Sequence, residues 1–312
     1  MGDDQGSRPV SRLVAVAALV ALGAIWGLTV PLMLVAVSTG YKPLGILVWQ
    51  NAIMAGLLLL LMRGLRLPVA LDRRHFGLMV VVAFFGAALP GYFSFLTAAW
   101  LPGGVRAIIV AAVPMFVLPI ALAVGFERPD ARRALGVLLG AGAIVVIALP
   151  GAHGGTVATG AVLLALIAPV SYAVEASYLA WRGSHGLHPF QLLFGTALLL
   201  LAVCWPLAEI TGQRPPRGWP WGAAEWAVVI SGVLNALAYS GYVWLIGQAG
   251  SVFASQIAYL VTGFGVVWSM VLLGERYGVA VWLALGLMLV GVALVQPRPR
   301  PSPLEPEPGR DV

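Results

Sequence analysis

Residues 110–127 read VAAVPMFVLPIALAVGFE, and residues 258–275 read AYLVTGFGVVWSMVLLGE. Laid over one another at an offset of 148, they pair Glu127 with Glu275 and Pro114 with Thr262. Each is an apolar run closed by an acid, and each precedes a glycine-bearing apolar run, GVLLGAGAIVVIAL or GLMLVGVALV. Lys42-Pro43 and His188-Pro189 open two further runs in matching places. The chain therefore reads as two similar halves.

Working outward from these runs, a helix that crosses hydrocarbon needs about 20 apolar residues. Stretches near 13–37, 43–62, 76–99, 102–124, 132–149, 156–181, 189–210, 223–245, 250–273 and 278–296 qualify. Turn-like segments such as Ser38-Thr39-Gly40, Arg63 to His75 and Gln213 to Trp221 separate them. Ten spans divide into five per half, residues 13–149 and 156–296. Five is odd, so the second half enters the membrane from the opposite side. That is an inverted-topology repeat, the architecture that lets a carrier alternate access around a midplane site. The expected fold is an all-α membrane protein of ten transmembrane helices in two inverted five-helix repeats. Residues 1–12 and 297–312 fall outside it; the latter, with its alternation of proline and charge, reads as a disordered tail.

Composition agrees. Of 312 residues, 60% are apolar and 10% charged, and mean hydropathy is +0.94. A soluble domain carries roughly 25% charged residues, so an aqueous enzyme and a nucleic-acid binder are both excluded. The net charge of +6 does not reverse this, because the basic residues punctuate apolar runs and form no patch. They report orientation instead. Alternating the spans from the N-terminus puts 13 of the 18 Lys and Arg on one side, while Lys42, Arg106, Arg214, Arg217 and Arg276 fall on the other. By the positive-inside rule both termini are expected in the cytoplasm of a multi-pass inner-membrane protein. The run from Leu13 to Val37 is too long for a signal-peptide core and reads as the first span. Cys204 stands alone in an apolar run, so no intrachain disulfide is expected.

Trp26-Gly27 in the first span, Pro114 in the fourth, and Glu127 and Gly274-Glu275 closing the fourth and ninth resemble EamA-type members of the drug/metabolite transporter superfamily. The resemblance covers about residues 13–296. It implies two EamA repeats and export, or less often uptake, of small metabolites such as amino acids. Where family members often carry a second-span arginine, a ninth-span proline and a sixth-span tryptophan, this chain has Gln50-Asn51, Thr262 and Tyr172.

Glu175, inside LIAPVSYAVEASYLAW, is the outstanding polar residue. A carboxylate at that depth costs several kcal/mol unless paired, hydrated or protonated. It reads as a group that binds a proton or a substrate amine, or as an interfacial acid paired with Arg182. Ser171 and Tyr178 share its helix face. Asn235, Tyr239 and Tyr242 form a stripe in the eighth span, and Gln256, Tyr259 and Thr262 another in the ninth. Polar stripes in lipid-embedded helices point inward, where they bind a ligand or join helices. Trp26, Gln50 and Tyr92, with Thr97, are the first-half candidates for the cavity, and Tyr172 completes the substrate-binding set. Gly23-x-x-x-Gly27 and Gly136-x-x-x-Gly140 read as close-packing faces. Pro90-Gly91, Pro114, Pro119 and Pro169 are expected to kink their helices. Glu127 and Glu275 read as capping or gate residues.

No catalytic set is apparent. The four histidines lack metal-ligand spacing, GAHGGT lacks the Lys-Ser/Thr of a phosphate loop, and no cofactor or metal is expected. The chain reads as a secondary transporter of small metabolites, an exporter of amino acids or related compounds. The alternative is a polytopic enzyme acting on lipids. Expected partners are a small-molecule substrate, the lipid bilayer and protons as the candidate coupling ion, with no nucleic acid. Monomer and homodimer both stay open.

Overall fold

Hydrocarbon offers no partner for a backbone N–H or C=O, so a spanning segment must satisfy its own as helix. The computed structural model describes residues 11–69, 72–125, 127–149, 159–184, 186–215 and 218–295. Eight of its helical stretches are long and apolar enough to cross a membrane: Arg12–Val37, Pro43–Gly64, Arg73–Ala98, Gly103–Ala123, Ala131–Ala148, Thr159–Arg182, Pro189–Ile210 and Ala223–Ala249. Two shorter apolar helices, Ile257–Leu273 and Val279–Val295, complete ten spans. The expected tail beyond residue 296, the loop 150–155, His153 and His185 lie outside the described residues.

The helices pack in a pattern that exchanges the two halves. The first span lies against the eighth and ninth, and the sixth lies against the third and fourth. The second span packs on the seventh, the fourth on the ninth and the fifth on the tenth. Adding five to every number in this pattern, and wrapping past ten, returns the same pattern. Where the fifth and tenth spans meet, Gly136 and Gly291 pack backbone to backbone. A Cβ on either would lie 2.7 Å from the other's carbonyl oxygen. Gly23 and Gly27 likewise let the first span ride directly on Leu260 to Gly265 of the ninth.

Several spans are interrupted, for identifiable reasons. The fourth breaks at Ala111-Ala112 and the sixth at Leu166. Pro114 and Pro169 lie three residues beyond Ala111 and Leu166, and each lacks the N–H that would reach back one turn. The third span is π-helical over Val82–Ala88, ahead of Pro90. Pro90 has no donor for the Gly86 carbonyl, and the wider π turn accommodates that gap. Pro119, by contrast, lies within the continuous helix Val113–Ala123. The ninth span begins with a separate turn, Ser251–Ala254, and carries no proline there.

One orientation marker needs correction. Arg106 is no flanking loop charge: it sits in the helix Gly103–Val110 and is only 6% exposed. It therefore says nothing about sidedness. Removing it leaves Lys42, Arg214, Arg217 and Arg276 opposite the 13, so the asymmetry deepens.

Candidate functional site

The polar residues of the bundle interior fall into a central group and several structural ties. In the central group, the Trp26 indole Nε1 donates to the Asn235 Oδ1 at 3.0 Å, joining the first and eighth spans. The same indole meets the Tyr242 ring edge-on, with centroids 6.1 Å apart. Tyr239, three residues before Tyr242, lies within electrostatic reach of Glu175. Tyr172, one turn before Glu175 on the sixth span, lies within reach of both Glu175 and Arg106.

Glu175 is half-buried and occupies a notch made by another span. Its carboxyl group rests on the α-carbon of Gly86, within the π-helical turn of the third span. A Cβ there would lie 2.5 Å from the Glu175 Cδ and Oε1 and 2.8 Å from Oε2. Glu175 has no ion pair or hydrogen bond among the described residues. Arg182 does not pair with it. Its guanidinium lies over the Trp181 ring, 4.7 Å from the centroid.

The other candidates lie elsewhere. Gln50 Nε2 donates to Ser231 Oγ at 2.9 Å, a tie between the second and eighth spans. Ser171 and Thr262 donate to carbonyls of their own helices, Ile167 at 2.6 Å and Ala258 at 2.8 Å. Tyr92 meets Phe93 edge-on and packs on the cluster of Ile46, Leu47 and Phe95. Tyr178 packs against Trp181 and the cluster of Leu78, Met79 and Val82. Tyr259 packs on the largest apolar cluster, and Gln256 stands at the N-cap position of the ninth span's main helix. A separate recess of ≈ 260 Å³ between the third and seventh spans is lined by Asp72, Arg73, Phe76 and Leu198 among others, and none of the candidates lines it.

Arg106 was the residue that spacing concealed. Its Nη1 donates to Thr97 Oγ1 at 3.1 Å, and its Nη2 reaches the Met33 sulfur. A signal existed in the sequence: PGGVR at 102–106 puts an arginine inside an apolar run, just past a turn.

The two halves are also laced together at the ends of the spans opposite the N-terminus. Glu275 accepts from the Gly103 N–H at 2.9 Å and the Gly104 N–H at 3.4 Å, and Tyr277 accepts from Gly104 at 2.8 Å. Tyr277 in turn donates to Glu275. Burial and that carboxylate hold the Tyr277 phenol well above its ordinary pKa. Glu275 is thus a cap from one half on a helix of the other, whereas Glu127 pairs with Arg133 at 2.8 Å. On the same side Tyr41 donates to Glu225, and the Leu44 N–H to Gln213 at 3.4 Å. The bond to Glu225, with burial and the carboxylate's charge, pushes the Tyr41 phenol up to about 12.

Known proteins resemble this chain in sequence and in fold. The model of the EamA-like transporter family matches residues 159–296, the second five spans. The uncharacterized inner membrane transporter YedA of Escherichia coli K12 is 28% identical over 286 residues, covering 89% of each chain; its counterpart from strain O157:H7 matches equally. The second half of the chain thus carries an EamA-like domain, and the chain is similar over most of its length to an inner membrane transporter. A solved crystal structure shares the fold at a TM-score of 0.59 and 21% identity, covering 91% of this chain and 98% of its own. The ten apolar helices and these similarities together support a membrane-embedded transporter. The central group is one place where polar side chains from both halves meet, through Trp26 and Asn235.

Proposed function

We propose that this chain is an EamA-type secondary carrier that exports amino acids or related small metabolites across the inner membrane. In this reading residues 13–149 and 156–296 are its two repeats, and both termini are cytoplasmic. Glu175 takes and releases a proton, or holds a substrate amine, while Trp26, Tyr172, Asn235, Tyr239 and Tyr242 shape the surrounding chamber. The inner-membrane location follows the description of YedA, which the chain resembles over most of its length. The observation that carries the reading is the unpartnered carboxyl group of Glu175, lodged between two spans in the π-helical notch at Gly86. A carboxylate is costly within a membrane, so one left without a protein partner implies a mobile partner.

The test is Glu175→Gln in protein reconstituted into vesicles preloaded with an equimolar amino-acid mixture. Gln keeps shape and hydrogen bonding but cannot titrate. The variant is expected to melt like wild type, yet to lose efflux or its dependence on the pH gradient. Normal efflux with an unchanged pH profile would make Glu175 a structural acid.

A further inference from the structure

The unpartnered acid Glu175 has a basic counterpart that no ion pair consumes. Arg106 is the only buried Lys or Arg among the described residues. Its guanidinium is permanently charged and carries five donors. Two meet Thr97 and the Met33 thioether, which are both neutral, and a thioether is a weak acceptor. Thr97 is fixed as an acceptor there, because its own hydroxyl donates to the Phe93 carbonyl at 2.7 Å. No carboxylate lies within ion-pairing distance of Arg106 among the described residues. Glu275 is the acid whose field reaches it, but that carboxylate is occupied by the Gly103 and Gly104 N–H groups and by Tyr277. A cation that deep demands an anion.

Placement says where that anion would come from. The helix carrying Arg106 packs on both the first and the sixth spans. Between Arg106 and Glu175 stands Tyr172, on the same face as Glu175 one turn away. Tyr172 is thus within electrostatic reach of both unpaired charges, the acid of the sixth span and the base of the fourth.

The kind of anion also follows. A guanidinium fork presents two parallel N–H groups to a planar carboxylate. A phosphate dianion usually recruits a second cation or an uncapped helix N-terminus. The N-terminus beside Arg106 is already capped by Glu275, and no second buried Lys or Arg is present among the described residues. We propose that Arg106 is a substrate-binding residue that anchors the carboxylate of an amino acid or similar monocarboxylate, with Thr97 and Met33 positioning its guanidinium. This rests on the transport reading above and goes further by naming the part of the substrate that is recognised.

The experiment uses the full-length protein in vesicles and two panels of probes: an equimolar mixture of amino acids, and the matching α-carboxamides. Efflux of each is measured by mass spectrometry for wild type, Arg106→Lys and Arg106→Gln. Wild type is expected to prefer acids to amides, and Arg106→Gln to lose acid efflux by about 10–100-fold, the worth of a charge-assisted hydrogen bond. Arg106→Lys keeps the charge without the fork and is expected to fall between. Efflux of acids and amides at equal rates by wild type overturns the anchor while leaving transport intact. So does an undiminished acid preference in Arg106→Gln. Efflux of neither panel overturns both the anchor and the amino-acid reading. Should Arg106→Gln fail to fold, the wild-type preference and the Lys variant decide, because a merely structural arginine would not distinguish an acid from its amide.

Discussion

Gly86→Ala separates the position of Glu175 from the stability of the fold. The added methyl group would sit 2.5 Å from the Glu175 Cδ and Oε1. Non-bonded carbons prefer about 3.5–4.0 Å, so the carboxyl group must withdraw by about 1 Å. It is the free end of a flexible side chain, and an off-rotamer shift costs about 0.5–1.5 kcal/mol. Ala in place of Gly inside a helix returns about 0.8–1.0 kcal/mol. The two nearly cancel, so the melting temperature should stay within about 4 °C of wild type. Function should not stay level. If the displaced carboxyl group loses one charge-assisted contact, about 1.5–3 kcal/mol disappears, or about 10–100-fold in affinity. The assay is amino-acid efflux from preloaded vesicles at several pH gradients, run beside thermal melting. Gly77→Ala is the control, since a Cβ at Gly77, nearer the start of the same span, would meet nothing within 4 Å. Wild-type efflux and pH profile in Gly86→Ala would refute a working role for the notch. So would a large fall in melting temperature matched by the loss of flux, because that pattern describes general damage.

Gly136→Ala and Gly291→Ala each drive a methyl group to 2.7 Å from a backbone carbonyl that cannot swing away, and each should cost about 1–3 kcal/mol on melting. Gly142→Ala, in the same span as Gly136 with open space around it, should be neutral or slightly stabilising; equal losses at all three would contradict the packing account. Tyr41 has its pKa raised from 10.0 to about 12, so its tie to Glu225 contributes below pH 10 and is lost as pH climbs through 12. Melting curves of wild type should fall more steeply over that window than those of Tyr41→Phe, and parallel curves would show the tie to be idle. Reporter fusions after Gly212 and after Pro297 should read outside and inside respectively, while a C-terminal reporter active only in the periplasm would overturn the orientation.

What the residues disclosed on their own, and what they withheld, divides along physical lines. Spans were legible because lipid imposes one requirement on every residue of a run, and a run of twenty repeats that signal twenty times. The interruptions at Pro114 and Pro169 were legible for a similar reason: a missing N–H acts locally. The break at Ser255-Gln256 was not, since no local chemistry forces it. Glu175 could be singled out because a lone acid in an apolar run is costly unless it is paired, hydrated or protonated. Its notch could not, because Gly86 lies 89 positions away and only tertiary packing makes that glycine's missing Cβ matter.

Arg106 shows the limit most clearly. Counted along the chain, it stands near the mouth of a span, where an arginine ordinarily snorkels to water. It is buried because Gly103 and Gly104 let the end of the ninth span and Tyr277 close over the fourth span's first turn. A Cβ at Gly104 would lie 2.5 Å from the Tyr277 hydroxyl. Two glycines in one half and a Glu-Arg-Tyr turn in the other thus turn a surface charge into an interior one. Neither segment contains that outcome alone. The halves of an inverted repeat meet with opposite polarity, so the end of one half's helix caps the start of the other's, as Glu275 does for Gly103. Their shared interior then collects polar groups from both halves, an acid from the sixth span and a base from the fourth. A charge pattern read one helix at a time sees flanks and faces; the burial of Arg106 arises only where the two halves cross.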